Sequence, residues 1–481
     1  MDWREVCSKS HNFCLLLFIT FSILFSTDVL LSADPATAKE PKPSKSRRKF
    51  NQKRYEQRLL KGDFRSRMSA INTIRNGFLD EERATDLLVK TCDQLIENGT
   101  ADTTMLLIVD TLRYSAPTPN SGEALVRWFD HAIANEAANP EAWQLMAYNA
   151  LISMRESNHP SVLQRATELL RSEDYRIQML AADIVGLQQH EPALEILVEL
   201  VDSQAYSDHY GFRHATLEAI SHFSGKKATR ILEEQAAELG GQLGFLVGQR
   251  VVQRKKIVIE TLRSPKQSKT ARRKTTATRL ASRAKKIEYD YVHGEDNPSP
   301  RKKKIRAPSY FYGQPIYAND VVFVIDVSSS MNQRAGTMTR LERAKYEAIR
   351  AINNLPEKSN FRVILFSNEV VDMMGTLVPA SPANKARYTQ RIQQLTSHHM
   401  TNLFGGLKTA LMDFSEPEVI FLVSDGEPTT GEITNAADIL VAMNNLNRFR
   451  RATINTISIG RSSPLLQRLS ADHAGQFRKV R

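Results

Sequence analysis

Cysteine is almost missing from this chain: three occur in 481 residues, and two of them, Cys7 and Cys14, stand close to the N-terminus. Cleavage of that end leaves Cys92 alone, which excludes an internal disulfide and assigns the residue to packing. Export is not excluded with it, because a large core is stable without covalent staples. No further His or Cys lies at zinc-ligand spacing from the paired His398 and His399, so these two are read as loop residues. A phosphate-binding P-loop, a G-x-S-x-G elbow and a Cys–His pair are also lacking, and the chain is read as a non-enzyme. The apolar run Phe13 to Phe25 is short for a membrane span and is followed by Asp28. With the small residues Ser32 and Ala33 behind it, residues 1–33 read as a cleaved signal peptide. The alternative is an uncleaved membrane anchor. Either way the expected location is outside the cytoplasm: periplasmic, cell-surface or extracellular.

What is present is ordinary in bulk and uneven in detail. A hydrophobic fraction of 41% and a charged fraction of 25% are globular values that exclude wholesale disorder, and the length suits two or three domains. Residues 34–63, rich in Pro, Lys and Arg, read as a solvated linker. From 64 to 253 apolar residues recur at steps of three and four, which predicts helices. Arg176 to Leu187 resembles Arg213 to Phe223 at an offset of 36, and the segments that follow, from Ala193 and Ala228, match at 35. Pro140 to Leu151 supplies a third unit. Such repetition resembles HEAT or armadillo helix pairs, each of which buries its apolar face only by stacking on its neighbours. An ordinary helical bundle is the alternative.

Residues 254–306 hold eighteen Lys or Arg against five acidic residues, a surplus of thirteen, so the rest of the chain sums to −1 of the total of +12. The basic balance therefore belongs to this segment, read as a flexible tether suited also to polyanion contact. Aromatics are nearly absent from 254 to 288, which removes the stacking platform of a single-strand nucleic-acid binder.

From 318 to 481 the pattern changes to β-branched runs separated by amphipathic helices. Val321 to Met331 opens as a strand buried on both faces, and Arg340 to Leu355 follows as a helix. Further strands are expected at 361–368, 370–377, 418–426, 452–460 and 476–480, with helices at about 384–395, 404–413, 433–445 and 464–472. This alternation predicts a doubly wound, Rossmann-like α/β sheet, and the short gap between the second and third strands makes the third an antiparallel edge. Ligands of such sheets sit beyond the carboxyl ends of the strands, at the switch in strand order. Asp326, Ser328, Ser330, Thr401 and Asp425 would converge there. Hydroxyls with only two carboxylates, and no His or Cys, suit Mg²⁺ first and Mn²⁺ second rather than zinc.

The phrase DVSSS, the later Thr and the SDG segment resemble the metal-ion-dependent adhesion site of von Willebrand A domains, and the flanking phrases FYGQPIYANDVVFVIDVSSSM and LLQRLSADHAGQF are similar to secreted bacterial proteins of that kind. The resemblance implies that Ser328, Ser330 and Thr401 bind metal directly and that Asp326 and Asp425 act directly or through water. It also implies an exported interaction protein whose metal takes an Asp or Glu from a protein partner. Three departures stand out. Ser329 replaces a common Gly, His398-His399-Met400 precede Thr401 where Gly is usual, and no final helix follows the last strand, so that one sheet face needs other cover. The Ro autoantigen family, which likewise joins HEAT-type helices to an A domain, supplies an RNA-binding alternative, against which the export signal argues.

Overall fold

The computed structural model describes residues 50–263 and 307–480, apart from 100–102, 116–117, 138–139, 156 and 413–415. The leader and most of the basic tether therefore lie outside the described residues. Among those described, no helix is long and apolar enough to cross a membrane.

The N-terminal unit is helical. Its helices are α1 (Gln52–Leu60), α2 (Phe64–Gly77), α3 (Glu82–Glu97), α4 (Thr103–Leu112), α5 (Pro119–Ala134), α6 (Pro140–Met154) and α7 (Pro160–Leu169). There follow α8 (Tyr175–Leu187), α9 (Leu194–Leu200), the short α10 (Gln204–Asp208), α11 (Tyr210–His222), α12 (Lys226–Glu238) and α13 (Gly241–Arg263). Side-chain oxygens set many of the starts: Asp63, Thr118, Asp174 and Ser203 each accept a backbone N–H of the first turn. Helices α2, α4, α6, α8 and α11 pack in succession along one row, and α1, α3, α5 and α7 along another. This is the stacking of pairs expected from the repeat. The starts of α6, α8 and α11, at 140, 175 and 210, are 35 residues apart, one fewer than the offset at which the first helices matched in sequence. A ladder of ion pairs keeps the same interval. Lys90 meets Glu56, Arg127 meets Asp93 and Arg165 meets Asp130, at separations of 34, 34 and 35 residues. Exposed pairs add little energy, so the ladder marks register, while Trp128, Phe129, Phe212 and Phe223 form the buried core.

Three boundaries differ from the sequence reading: the C-terminal unit includes a hairpin at 309–316, ahead of the expected start at 318, and the helical unit is longer at both ends. Helix α1 lies inside the stretch read as a linker, because Tyr55 and Leu59 are buried and Phe50 stacks on Tyr55 at 5.1 Å. Helix α13 runs ten residues into the stretch read as the basic tether. Its Arg254 donates to the Ser221 carbonyl at 3.0 Å and to Thr229 Oγ1 at 3.2 Å, so it belongs to the helical unit. At both ends of the helical unit a few packing and hydrogen-bond contacts outweigh a charged composition.

The C-terminal unit is a doubly wound sheet. Its strands are β1 (Ser309–Phe311), β2 (Gln314–Ile316), β3 (Asp320–Asp326), β4 (Arg334–Ala335), β5 (Met338–Thr339), β6 (Asn360–Phe366), β7 (Val370–Asp372), β8 (Val378–Pro379), β9 (Val419–Ser424), β10 (Thr453–Ile459) and β11 (Phe477–Val480). The main sheet runs β11-β10-β9-β3-β6-β7 with β8 also on β6. Every pair is parallel except β6 with β7 and β8, so the expected antiparallel edge is present. Alternate residues divide two cores. Phe323, Phe361 and Phe421 face α14 (Arg340–Asn354) and α15 (Pro382–Gln393), while Val324, Phe366 and Leu422 face α16 (Leu403–Leu411), α17 (Ala436–Leu446) and α18 (Pro464–Asp472). Phe311 of the β1–β2 hairpin packs edge-on against Phe323 at 5.1 Å and Phe421 at 5.4 Å. The hairpin thus helps cover the first of these faces.

The helical unit docks on the amino ends of the central strands. Glu418, just before β9, accepts the N–H of Gln242 at 3.0 Å and of Asn319 at 3.2 Å. Glu416 accepts the Tyr210 N–H at 2.8 Å, and Phe245 stacks on Tyr317 at 4.1 Å. Arg451, before β10, reaches Asp183 at 2.5 Å and Glu218 at 3.2 Å, from a left-handed backbone of φ 54°. Gly211 is required here, since a Cβ would lie 1.9 Å from the Phe449 carbonyl oxygen. The carboxyl ends of β3 and β9 lie at the opposite pole, roughly 20 Å away at about 3.3 Å per residue.

Candidate metal centre at the carboxyl ends of the sheet

Strand order reverses between β3 and β9, and both end in polar side chains. Asp326 closes β3 and is fully buried. Its Oδ1 accepts the Ser328 N–H at 2.8 Å and its Oδ2 the Ser424 hydroxyl at 2.6 Å. Burial pushes this carboxyl up to about 6, against the pull of those hydrogen bonds. The Ser328 and Ser330 hydroxyl oxygens are 3.0 Å apart, and Ser330 Oγ donates to Asp425 Oδ1 at 2.7 Å. Asp326, Ser328, Ser330 and Asp425 are therefore joined in one chain of contacts. Thr401 is brought up differently. It is buried, its N–H donates to Thr429 Oγ1 at 2.9 Å, and its carbonyl accepts the Thr429 N–H at 3.0 Å. None of its hydrogen bonds among the described residues runs to the other four.

Two of the sequence features that depart from the adhesion-site pattern, Ser329 and the His398–His399 segment, have structural partners. His398 donates its N–H to the Val327 carbonyl at 2.7 Å and bridges to Ser328, and the Ser329 hydroxyl bonds the carbonyls of His398 and His399 at 3.1 and 2.9 Å. The serine in place of glycine thus pins the loop that lacks glycine.

Three residues at the site escaped the sequence reading. Ser424 was within the SDG phrase and readable there. Thr429 carried no signal. Arg340, read only as the start of a helix, sends its guanidinium to Asp425 Oδ2 and, at 3.4 Å, to the Ser330 carbonyl.

Chemically the set is three hydroxyls and two carboxylates. Among the described residues no three His, Cys, Asp or Glu stand together, so any ion held here would meet mostly neutral oxygens. Adjacent vertices of an octahedron with bonds of 2.0–2.1 Å lie about 2.9 Å apart. The Ser328–Ser330 and Ser330–Asp425 separations of 3.0 and 2.7 Å are of that size.

A doubly wound sheet with hydroxyls and carboxylates at its switch point defines the class of the C-terminal unit. Residues 321–427 match the family model of the von Willebrand factor type A domain, and this unit is a domain of that family. Similar curated proteins are inter-alpha-trypsin inhibitor heavy chain H3 of Mus musculus, 30% identical over 131 residues (25% of this chain, 14% of that protein), and heavy chain H4 of Homo sapiens, 31% identical over 179 residues (34% and 18%). The chain thus spans less than a fifth of the length of either relative. Among solved structures, a von Willebrand factor type A protein from Catenulispora acidiphila aligns at a TM-score of 0.30 and 21% identity over 35% of this chain and 40% of that one. BatB from Bacteroides thetaiotaomicron aligns at 0.28 and 16% over 33% and 89%.

Proposed function

We propose that this is an exported, noncatalytic interaction protein whose von Willebrand A domain holds a divalent ion, Mg²⁺ first and Mn²⁺ second, and through it an Asp or Glu of a protein partner. The observation that carries the reading is the hydroxyl and carboxylate cluster spaced for octahedral coordination at the switch point. Ser328, Ser330 and Thr401 would be direct ligands, with Asp326 and Asp425 acting directly or through water. An ion held mostly by neutral oxygens keeps its positive charge and supplies the attraction for an outside carboxylate. The chain's own residues arrange the rest. Asp326 orients the Ser328 amide and the Ser424 hydroxyl, Ser329 fixes the loop before Thr401, and Thr429 fixes Thr401 itself. The helical unit, docked at the other pole, would offer a second binding surface. Export rests on the apolar leader, Phe13 to Phe25.

The test is a pull-down from envelope material with Mg²⁺ and with chelator, using the native chain, Asp326→Ala and Ser330→Ala. Partners should be caught by the native chain with Mg²⁺, and lost with chelator or in either variant. Equal capture under all conditions refutes the adhesion-type reading, and calorimetry with Mg²⁺ and Mn²⁺ checks the ion itself.

A further inference from the structure

Arg340 is an unusual neighbour for a site that would hold a cation. It is the first residue of α14, whose start is already capped by Thr339 and Glu342. A positive side chain there opposes the helix dipole, which favours acids at this end. The guanidinium nevertheless folds back onto Asp425. Its side chain is 12% exposed, and that of Asp425 is 0% exposed, so solvent screens the pair little. Gly460, at φ 86°, leaves the space: a Cβ there would lie 2.6 Å from Arg340 Nη2 and 3.0 Å from Cζ. Asp425 is consequently satisfied on both oxygens, by Ser330 on one and Arg340 on the other.

We propose that Arg340 is a built-in counter-cation of the site, competing with a divalent ion for Asp425 and so setting the ion concentration at which the site fills. The inference rests on the metal reading above and adds its regulation. Like charges within one low-dielectric cluster repel, so an ion enters at the expense of the Arg340–Asp425 contact. The charge count then favours a ligand. Two carboxylates, Arg340 and a divalent ion leave one surplus positive charge, which one incoming carboxylate neutralises. Without Arg340 the loaded site is already neutral.

The test compares native protein, Arg340→Gln and Arg340→Lys by calorimetric titration with Mg²⁺ and Mn²⁺, and by melting temperature in chelator. Arg340→Gln should bind the ions at least about tenfold more tightly, while melting lower than native protein in chelator because Asp425 is left buried without its partner. Arg340→Lys, which keeps the charge, should stay near the native affinity and guards against a glutamine variant that fails to fold. A residue with a merely structural role would lower melting temperature and ion affinity together, and that result overturns the inference. Equal affinity in all three proteins overturns it too and leaves the metal reading standing. No uptake by any of the three sinks both.

Discussion

Ser329 shows how one side chain replaces what a glycine elsewhere supplies. Its hydroxyl reaches two successive carbonyls of the His398–His399 segment, so the loop leading to Thr401 is held by hydrogen bonds instead of being shaped by a flexible backbone. Ser329→Gly should therefore cost about 0.5–1.5 kcal/mol in urea unfolding and weaken Mg²⁺ uptake, while Ser329→Thr, which retains the hydroxyl, restores both. At this scale the sequence was legible where chemistry is local. Asp326, Ser328 and Ser330 share one turn, and their spacing alone brings them together. Arg340 was illegible because its partner lies 85 residues away, and nothing in a helix start announces which way a long cation folds. Thr429 was hidden for the same reason.

The elements themselves were easier to read, since the strands are continuous β-branched runs and the helices keep an apolar stripe. What failed were ends: α1 carries so much charge that its buried Tyr55 and Leu59 were outvoted, and in α13 the charged run hid the half-buried contacts of Arg254. The regular spacing of Glu56–Lys90, Asp93–Arg127 and Asp130–Arg165 was available as a second repeat signal beside the apolar one. Burial of single titratable groups between elements predicts an acid response. His473, between α18 and β11, is held down to about 4 by burial. A folded value below the unfolded one means that the unfolded chain takes the proton first, so stability is full above about 6.5 and falls as pH drops toward 4. The loss should reach about 3 kcal/mol by pH 4. Subtracting the melting profile of His473→Gln from that of native protein isolates this group, and a flat difference between pH 7 and 4 refutes it. Glu218 acts lower down. Burial alone would raise it, but His214 and Arg451 outweigh burial and hold it at about 2. Its contribution is present above about 4.5 and disappears as pH falls toward 2.

For the whole molecule, the join between the units matters most. Arg451 spans it, paired with the largely buried Asp183 and with Glu218. Arg451→Ala takes the guanidinium away from both acids, leaving Glu218 only the neighbouring His214 as an ion-pair partner, and should cost about 3 kcal/mol. Native protein should melt in a single calorimetric transition, and the variant in two. A single transition in both would mean that the seam is held by its apolar contacts, Phe245 on Tyr317 and Phe449 in the helical core, without help from the ion pairs.

Because the helical stack seats against the amino ends of β3, β9 and β10, the molecule behaves as a bracket with two fittings back to back. On the function proposed above, a partner resting on the helices would be kept about the length of the central strands from one gripped at the far pole. A pull between the two would run lengthwise along the central strands and load the seam at Glu418, Glu416 and Arg451.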